Sequence, residues 1–327
     1  LILTLFSIFS KNSSFSYYKG DKNINQNIAL IEISGPIISD PNKVTNLNIF
    51  NKIDVIYPSL VSKLLEELKS KDTLAIIISI DSPGGSVTAS NKIFQEIIQF
   101  KKTNKIPVYF HSSNILTSGG YWIALSGDKI YTDYGAIIGS IGVKGPDWIY
   151  YNSPTALSSG FIGTSVESPN GIQLYSNTAG KSKDIFNPFR APSNKEKLDL
   201  QKIVDDIYED FINLVSSKRK IEKKYLKNQI GAMIFNSKQA KLNYLIDDQK
   251  NLNEIFSILT KKLKIDSVKI ISNRNSDRSN FFNLIYEAFV FNEKILDSHK
   301  LKVKNKYCNN LFYELSSVST NTYGLSC

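Results

Sequence analysis

Two glycine turns, each lying between an apolar run and a helix-like segment, most strongly constrain how this chain can fold. Residues 74–80 form an apolar run typical of a buried strand, and Pro83, Gly84 and Gly85 break it. Further along, Ser118 ends a polar turn and is followed by two glycines and an apolar segment that predicts the start of a helix. Repeated strand, turn and helix units predict an α/β fold with a mainly parallel sheet.

The rest of this region alternates in the same way. The apolar patterns predict further strands at residues 28–34, 107–110 and 129–132, and helices at residues 59–71 and 89–100. Such βαβ units have right-handed crossovers, and ligands collect beyond the carboxyl ends of the strands. Both glycine turns are predicted to lie at those ends.

The chemistry of the two turns favours acyl transfer. A serine at a helix N-terminus lies beside backbone N–H groups that have no helical partner, and these groups stabilise a nearby oxyanion. The glycines at 84 and 85 let bare backbone approach a ligand closely. Either turn alone is more often plain loop geometry, so the prediction depends on the pair.

Beyond the turns, residues 145–180 show no helical period and predict a long loop or hairpin that faces substrate. Residues 193–196 (Ser-Asn-Lys-Glu) fit a capping box that opens a long helix. We expect a domain at residues 28–265 and a C-terminal tail at residues 266–327. The tail contains an amphipathic stretch at residues 281–289.

Residues 1–9 are apolar but shorter than the 20 or so residues that span a bilayer, and a Ser/Asn/Lys-rich stretch follows them. We interpret residues 1–27 as the end of a membrane anchor and a linker. The net charge of +10 is spread along the chain without an aromatic-interleaved patch, which argues against a nucleic-acid partner. The two cysteines, Cys308 and Cys327, provide no disulfide framework for the main domain.

Four motifs occur in a recognisable order, and together they are specific: residues 81–87 (Asp-Ser-Pro-Gly-Gly-Ser-Val), 116–121 (Leu-Thr-Ser-Gly-Gly-Tyr), 139–143 (Gly-Ser-Ile-Gly-Val) and 180–184 (Gly-Lys-Ser-Lys-Asp). In this respect the chain resembles the signal peptide peptidase A family of serine proteases, peptidase family S49, in its single-copy form. The resemblance extends from about residue 28 to residue 252. It implies a ClpP/crotonase-like ββα superhelix and a serine endopeptidase that needs no cofactor or metal.

The resemblance also assigns roles to individual residues. It implies that Ser118 is the nucleophile and Lys183 the general base. The N–H groups of Gly85 and Gly119 would form the oxyanion hole, which agrees with the independent interpretation of the two turns. Ser140 matches a serine that orients the lysine.

The choice of base can also be argued from the residues. The only histidines are His111 and His299, and neither lies shortly after Ser118, where Clp-type proteases place theirs, which argues against a Ser-His-Asp triad. His111, seven residues before Ser118, is close enough in sequence to remain an alternative base to be tested. A lysine base must be neutral, and lowering its usual pKa of about 10.4 by three pH units corresponds to roughly 4 kcal/mol. Asp184 would oppose neutrality of Lys183 unless its side chain points away.

Three other lysines are alternative candidates for the base. Lys181 is two residues from the family position, and Lys129 and Lys144 lie where the family has no catalytic lysine.

The resemblance further implies extended hydrophobic peptides such as signal-peptide remnants as substrates, bound as an added β-strand. It implies a homo-oligomeric ring in which the dyad is completed between neighbouring subunits. It also implies anchoring to a membrane, with the catalytic domain outside the cytoplasm. The alternatives are a protease for stomatin-like membrane proteins, a crotonase-like enzyme that binds acyl-CoA, and a non-enzymatic ring scaffold.

Overall fold

The computed structural model describes residues 13–41, 54–150 and 177–274. The strands are β1 Ser16–Gly20, β2 Asn27–Ser34, β3 Thr73–Asp81, β4 Val108–Ser112, β5 Ile115–Thr117, β6 Lys129–Thr132, β7 Ile137–Gly139, β8 Ile234–Asn236, β9 Asp248–Gln249 and β10 Lys269–Ser272. The helices are α1 Pro58–Leu68, α2 Val87–Asn104, α3 Gly119–Ala124, α4 Asn194–Arg219, α5 Lys223–Tyr225, α6 Ser237–Leu242 and α7 Leu252–Leu263, and a π-helical turn, Leu226–Ile230, follows α5.

The chain divides into two compact units. Unit 1 comprises Leu1–Gly142 and Phe211–Cys327, and unit 2 comprises Val143–Asp210. Helix α4 therefore begins in the sequence of unit 2 and ends in that of unit 1.

A seven-stranded sheet in the order β1-β10-β2-β3-β4-β6-β9 forms the centre of unit 1. All neighbours in it are parallel except β1 and β10. Strand β3 is almost entirely buried, with Ile76, Ile77 and Ile78 fully shielded from solvent. Parallel strands covered on both faces are continuously apolar, which explains why the run at residues 74–80 does not alternate with polar residues.

A second, small sheet, β5-β7-β8, lies at the carboxyl ends of the main strands. Strand β4 of the main sheet is followed by β5 of the small sheet and then by α3. Strand β6 of the main sheet is likewise followed by β7 of the small sheet. These are ββα units. The predicted α/β superhelix with a mainly parallel sheet is confirmed.

The principal predicted elements match the structure within a few residues. The strand predicted at residues 129–132 is Lys129–Thr132, and the helix predicted at residues 89–100 extends over Val87–Asn104. The capping box at the start of α4 forms, because Ser193 Oγ and the N–H of Ser193 both donate to Glu196 Oε2, and the N–H of Glu196 donates to Ser193 Oγ.

The long helix predicted after residue 193 is α4, and its apolar residues are buried only in its C-terminal half. Phe211, Ile212 and Val215 are buried, whereas Ile203 is 57% exposed. Tyr244, at a position where glycine is common in the family, has a left-handed backbone with φ of 60°. That conformation is the physical reason for a glycine there.

The sheet extends beyond both boundaries predicted for the main domain. Strand β1 lies within the segment interpreted as anchor and linker, and β10 lies within the predicted tail. Strand β10 pairs with β2 and with β1, and Ile270 and Ile271 on it are buried. These two strands escaped prediction because each is only four or five residues long and follows a polar segment.

Several expectations concern residues outside the described ranges: the apolar residues 1–9, the centre of the loop at residues 145–180, the amphipathic stretch at residues 281–289, and both cysteines. None of the helices in the described part of the chain combines the length and hydrophobicity needed to cross a membrane.

Candidate active site

Ser118 occupies the N-cap of α3 in a backbone conformation that is rare for a residue with a side chain. Its φ and ψ are 51° and −123°. Two hydrogen bonds support this conformation: the Ser118 N–H donates to the Gly139 carbonyl at the end of β7, and the Ser118 carbonyl accepts from the N–H of Trp122, each over 2.9 Å. The hydroxyl makes no hydrogen bond to another described residue and is half-buried. The serine is thus held by its backbone, with its Oγ free.

The first glycine turn packs directly on this serine. Gly84 has a φ of 105°, and a Cβ added to it would lie 2.7 Å from Ser118 Cβ and 3.0 Å from Ser118 Oγ. A Cβ on Gly119 would meet Ser90 Oγ at 2.4 Å and the backbone nitrogen of Gly85 at 3.4 Å. The two turns predicted from the sequence are therefore in contact, and glycine is required where they touch.

The backbone N–H of Gly85 points away from Ile37, with which Gly85 forms a parallel β-bridge. The N–H of Ile37 donates to the Gly84 carbonyl and the Ile37 carbonyl accepts from the N–H of Ser86, both over 2.8 Å. In such a parallel bridge the intervening residue directs its own N–H to the other side. Within the described ranges neither Gly85 nor Gly119 donates its N–H to a backbone carbonyl.

The site therefore combines a serine hydroxyl with two neighbouring unpaired N–H donors. Preorganised donors of this kind stabilise the negative oxygen of a tetrahedral intermediate. Helix α3 is only six residues long, so the direct N–H groups matter more here than a helix dipole.

Hydrogen bonds of Thr117 and Ser82 join the two turns. The Thr117 hydroxyl donates to the Pro83 carbonyl over 3.0 Å, and the Thr117 N–H donates to the Ser82 carbonyl over 3.1 Å. Ser82 Oγ in turn accepts from the N–H of Gly84 over 3.1 Å. Thr117 directly precedes Ser118, so these hydrogen bonds fix the second turn against the first.

Asp81, the first residue of the first motif, organises the loop that leads to Ser118. Its carboxylate accepts hydrogen bonds from the Ser112 hydroxyl and the Asn114 N–H, each over 2.8 Å, and from the Ser113 N–H over 3.0 Å. Burial alone would raise the pKa of Asp81, but hydrogen bonds from Asn114, Ser112 and the N–H of Ile115 hold it below its usual value. The carboxylate remains ionised and ties β3 to the start of β5.

Ser140 lies directly after β7, with a φ of 51°. Its N–H donates to the Met233 carbonyl over 2.8 Å. The preceding residue, Gly139, accepts the hydrogen bond from the Ser118 N–H. The structure therefore brings Ser118, Gly85 and Gly119 together and places Ser140 on the strand end beside them.

Lys183 belongs to unit 2, whereas Ser118, Gly85, Gly119 and Ser140 belong to unit 1. The lysine lies in a tight turn in which its N–H donates to the Gly180 carbonyl over 3.3 Å, and its side chain is exposed. No carboxylate among the described residues pairs with its amine.

The carboxylate of Asp184, next to Lys183, is bound by the guanidinium of Arg190. The acidic neighbour that would oppose a neutral lysine is thus occupied by another cation.

His111 is buried in β4 and pairs with side chains rather than with the backbone. Its Nδ1 lies 3.3 Å from Ser79 Oγ, and its Nε2 lies 3.5 Å from Asp133 Oδ1, a contact too long and poorly aligned for a strong hydrogen bond. Burial lowers the pKa of His111, although the Asp133 charge opposes this. The histidine is enclosed, with one ring nitrogen at Ser79 and the other facing Asp133. His299 lies outside the described ranges.

Two other lysines considered as bases are engaged in ion pairs, Lys129 with Asp247 and Lys144 with Asp147.

Sequence reasoning missed Asp81, Thr117 and Arg190. Asp81 and Thr117 stand within the two glycine motifs, and their position beside the turns was the available signal. Arg190 lies outside the four motifs, six residues beyond Asp184.

A model of peptidase family S49 matches residues 100–157 and 159–266, which is just over half of the chain. Similar curated proteins include "Putative protease MJ0651" of Methanocaldococcus jannaschii, 27% identical over 72% of this chain and 74% of the relative. Another is "Putative signal peptide peptidase SppA" of Enterococcus faecium, 26% identical over 77% of this chain and 68% of the relative.

A third relative, Protease 4 of Haemophilus influenzae, is 25% identical over 71% of this chain but only 34% of its own length. Among solved structures, a variant of the 1510-N membrane-bound stomatin-specific protease aligns with a TM-score of 0.42 at 18% identity, covering 72% of this chain and 84% of that one. A ClpP1 variant from Listeria monocytogenes aligns with a TM-score of 0.40 at 15% identity, covering 68% and 92%.

The family match covers Ser118, Gly119, Ser140 and Lys183, and Gly85 lies outside it. The match to the family model and the names of the relatives agree with the four motifs found in the sequence. The chain belongs to peptidase family S49.

Proposed function

We propose that this peptidase is a serine endopeptidase in which Ser118 attacks the peptide carbonyl and Lys183 accepts the serine proton. The observation that carries the proposal is the strained Ser118 held against the glycine turn, with its hydroxyl free and the N–H groups of Gly85 and Gly119 unpaired beside it. These N–H groups stabilise the developing oxyanion. Ser140 orients the lysine amine.

The catalytic cycle has two halves. Ser118 Oγ forms a bond to the peptide carbonyl carbon while its proton passes to the Lys183 amine. The tetrahedral intermediate then collapses to an acyl-enzyme, and the lysine returns the proton to the leaving amine. Water then attacks the acyl carbon while its proton passes to the same lysine. The bond between that carbon and Ser118 Oγ breaks, the lysine returns the proton to Oγ, and the peptide acid leaves.

Support for a lysine base comes from what surrounds the candidates. His111 is enclosed between Ser79 and Asp133, Lys129 and Lys144 are paired with aspartates, and the acidic neighbour of Lys183 is bound by Arg190. Lys183 itself has no described carboxylate partner. A lysine acts as a base only in its neutral form, and shielding from water favours that form. In our proposal a neighbouring subunit of a homo-oligomeric ring provides that shielding, and the dyad is completed between subunits.

The proposed substrates are extended hydrophobic peptides, such as signal-peptide remnants, bound as an added strand. The name of the Enterococcus faecium relative supports this substrate class. Attachment to a membrane through residues 1–27, with the catalytic domain outside the cytoplasm, belongs to the same proposal. Family membership favours a peptidase over the acyl-CoA-binding alternative.

The test of the dyad uses Ser118→Ala, Lys183→Ala and the matched control Lys181→Ala, which removes an exposed lysine of the same turn. The first two variants should lose at least about a thousandfold in kcat/KM on a fluorogenic signal-peptide-like substrate, and the control should retain activity. A fluorophosphonate probe should label the wild type but not Ser118→Ala. Full activity of Lys183→Ala would reject the Ser-Lys mechanism.

Whether the dyad lies between subunits is tested by co-expressing Ser118→Ala and Lys183→Ala under different tags and purifying complexes that carry both. Recovered activity in these complexes means that serine and lysine come from different chains. Mixed complexes without activity, formed from variants that are each inactive alone, would place the dyad within one chain.

A further inference from the structure

Arg190 lies between two carboxylates of unit 2 and binds both. Its Nε and Nη2 donate to the two oxygens of Asp184 over 2.8 and 2.9 Å. Its Nη1 and Nη2 donate to the two oxygens of Glu196, each over 2.9 Å. A planar guanidinium can hold two carboxylates in this forked arrangement, whereas a lysine ammonium cannot.

This contact joins the Lys183 turn to the start of α4. Glu196 forms the capping box with Ser193, so its position is fixed by the helix, and its side chain is only 7% exposed. Asp184 directly follows Lys183 in the chain. Arg190 therefore attaches the turn that carries the lysine to a rigid element.

Aromatic contacts complete the packing around this arginine. The Arg190 guanidinium lies 5.1 Å from the centre of the Trp148 ring, and Trp148 lies 5.4 Å from the Phe186 ring. The Trp148 Nε1–H donates to the Asn187 carbonyl over 3.1 Å. Trp148 thus contacts both the end of the turn and the arginine that links the turn to α4.

The electrostatic consequence concerns Asp184. A carboxylate within about 4–6 Å of an amine favours the protonated amine, which would prevent a lysine from acting as a base. Arg190 occupies both oxygens of this carboxylate and holds the pKa of Asp184 below its usual value. Arg190 contacts the carboxylates of Asp184 and Glu196. The other charged groups on these segments are Lys181 and Lys183 of the turn, Lys197 and the Lys195–Asp199 pair at the start of α4, and the Lys144–Asp147 pair of the segment that carries Trp148.

We propose that Arg190 is a positioning residue for Lys183: it keeps the Asp184 carboxylate away from the lysine amine and fixes the Lys183 turn to the start of α4. This inference rests on the proposed role of Lys183 as the base. Arg190 touches neither substrate nor the reacting atoms; it acts through Asp184 and Glu196.

The test compares Arg190→Gln, Arg190→Gln with Asp184→Asn, and the control Arg219→Gln in the full-length protein. Arg219 also binds an aspartate, Asp247, over 2.9 Å, so its loss removes an arginine–carboxylate pair that does not adjoin Lys183 in the chain. Two quantities are measured across pH: kcat/KM, and the rate at which acetic anhydride modifies the Lys183 amine, followed by mass spectrometry in a Ser118→Ala background. The second needs no turnover.

In Arg190→Gln the Asp184 carboxylate is free to pair with Lys183 and hold its proton. The acid limb of kcat/KM and the midpoint of acetylation should therefore both move to higher pH by about one pH unit. Adding Asp184→Asn should return both midpoints to the wild-type position. Arg219→Gln should lower stability without moving either midpoint.

The proposal is wrong if both midpoints in Arg190→Gln stay at the wild-type pH while stability falls as it does in Arg219→Gln. Arg190 would then have only a structural role. If circular dichroism shows that Arg190→Gln is unfolded, Arg190→Lys replaces it. A lysine at this position keeps the charge but cannot hold both carboxylates, so we expect a smaller upward shift of both pH midpoints. The absence of any shift would contradict the proposal. Lys183→Ala with full activity would instead reject the proposed base, and the acetylation result would still report on Arg190.

Discussion

Ser118 carries a backbone strain on the order of 1–3 kcal/mol, which a protein retains only where the surrounding contacts enforce it. Its neighbours do so here, through the hydrogen bonds to Gly139 and Trp122 and through the close approach of Gly84. The strain presents the hydroxyl without a local partner. At the residue scale, the site is therefore organised by groups that hold the backbone of Ser118 and of the loop that leads to it. Asp81 is the charged residue that holds this loop.

Asp81→Asn should lower the free energy of unfolding at pH 7 by about 2–4 kcal/mol, because an amide cannot accept the same set of hydrogen bonds as the carboxylate. The pH dependence should change too. The folded-state pKa of Asp81 is lowered, so its contribution is complete above the unfolded value of about 3.9 and is lost as pH falls through the folded value. Urea denaturation at pH 7 and between pH 5 and 3 measures both effects.

The control for this prediction is Asp147→Asn. Among the described residues Asp147 pairs only with Lys144, three residues away, and its side chain is 58% exposed. Its loss should change stability by less than about 0.5 kcal/mol. Equal effects of the two substitutions would show that the hydrogen bonds to Asp81 contribute nothing specific.

At the scale of elements, the site is the meeting of two turns from different strands. Strand β3 delivers the first turn and β5 the second, and the bridge between Ser82 and Leu116 brings them side by side. The Thr117 hydroxyl adds a hydrogen bond from the second turn to the Pro83 carbonyl of the first. The distance between the Gly85 and Gly119 N–H groups depends on this contact.

Thr117→Val should lower kcat at least about tenfold with a smaller change in KM, since a small displacement of an oxyanion donor weakens transition-state binding most. The loss of one hydrogen bond should cost about 1 kcal/mol of stability. The matched control is Thr132→Val, because the buried Thr132 hydroxyl has no partner within the described ranges. That control should leave kcat and stability unchanged or raise stability.

Similar losses of kcat in Thr117→Val and Thr132→Val would contradict a specific role for the Thr117 hydroxyl. Circular dichroism and denaturation curves of both variants separate a local displacement from general unfolding.

What the sequence could predict at this scale follows from local physics. The apolar run at residues 74–80 and the turn glycines depend on neighbouring residues alone, so the strands and turns were found close to their observed positions. The contact between the turns depends on how two sheets meet, and the fork of Arg190 depends on a helix start and a turn packing together. Both contacts join residues that are distant or unrelated in local pattern, so the position of Thr117 in its motif did not reveal its partner, and Arg190 had no motif to mark it.

At the scale of the whole molecule, the two ends of the described chain complete the same sheet. Strand β10 lies between β1 and β2, so residues near 16–20 and 269–272 pair although the chain between them forms the rest of unit 1 and all of unit 2. Val268 and Ile270 belong to the hydrophobic core cluster that contains Ile28 and Ile255. The domain predicted to end at residue 265 therefore lacks a strand that the core requires.

A chain that ends at residue 266 should be less stable than one that ends at residue 274 by at least about 4 kcal/mol. The difference is the burial of Val268, Ile270 and Ile271, at about 1.5–3 kcal/mol for each side chain, together with the hydrogen bonds of β10 to β2. The shorter chain also leaves one edge of the mostly apolar strand β2 unpaired, so it should aggregate more readily. Urea denaturation and static light scattering of the two chains measure these effects. Equal stability of the two chains would mean that the core forms without β10. The domain predicted to end at residue 265 would then contain all the residues that stability requires.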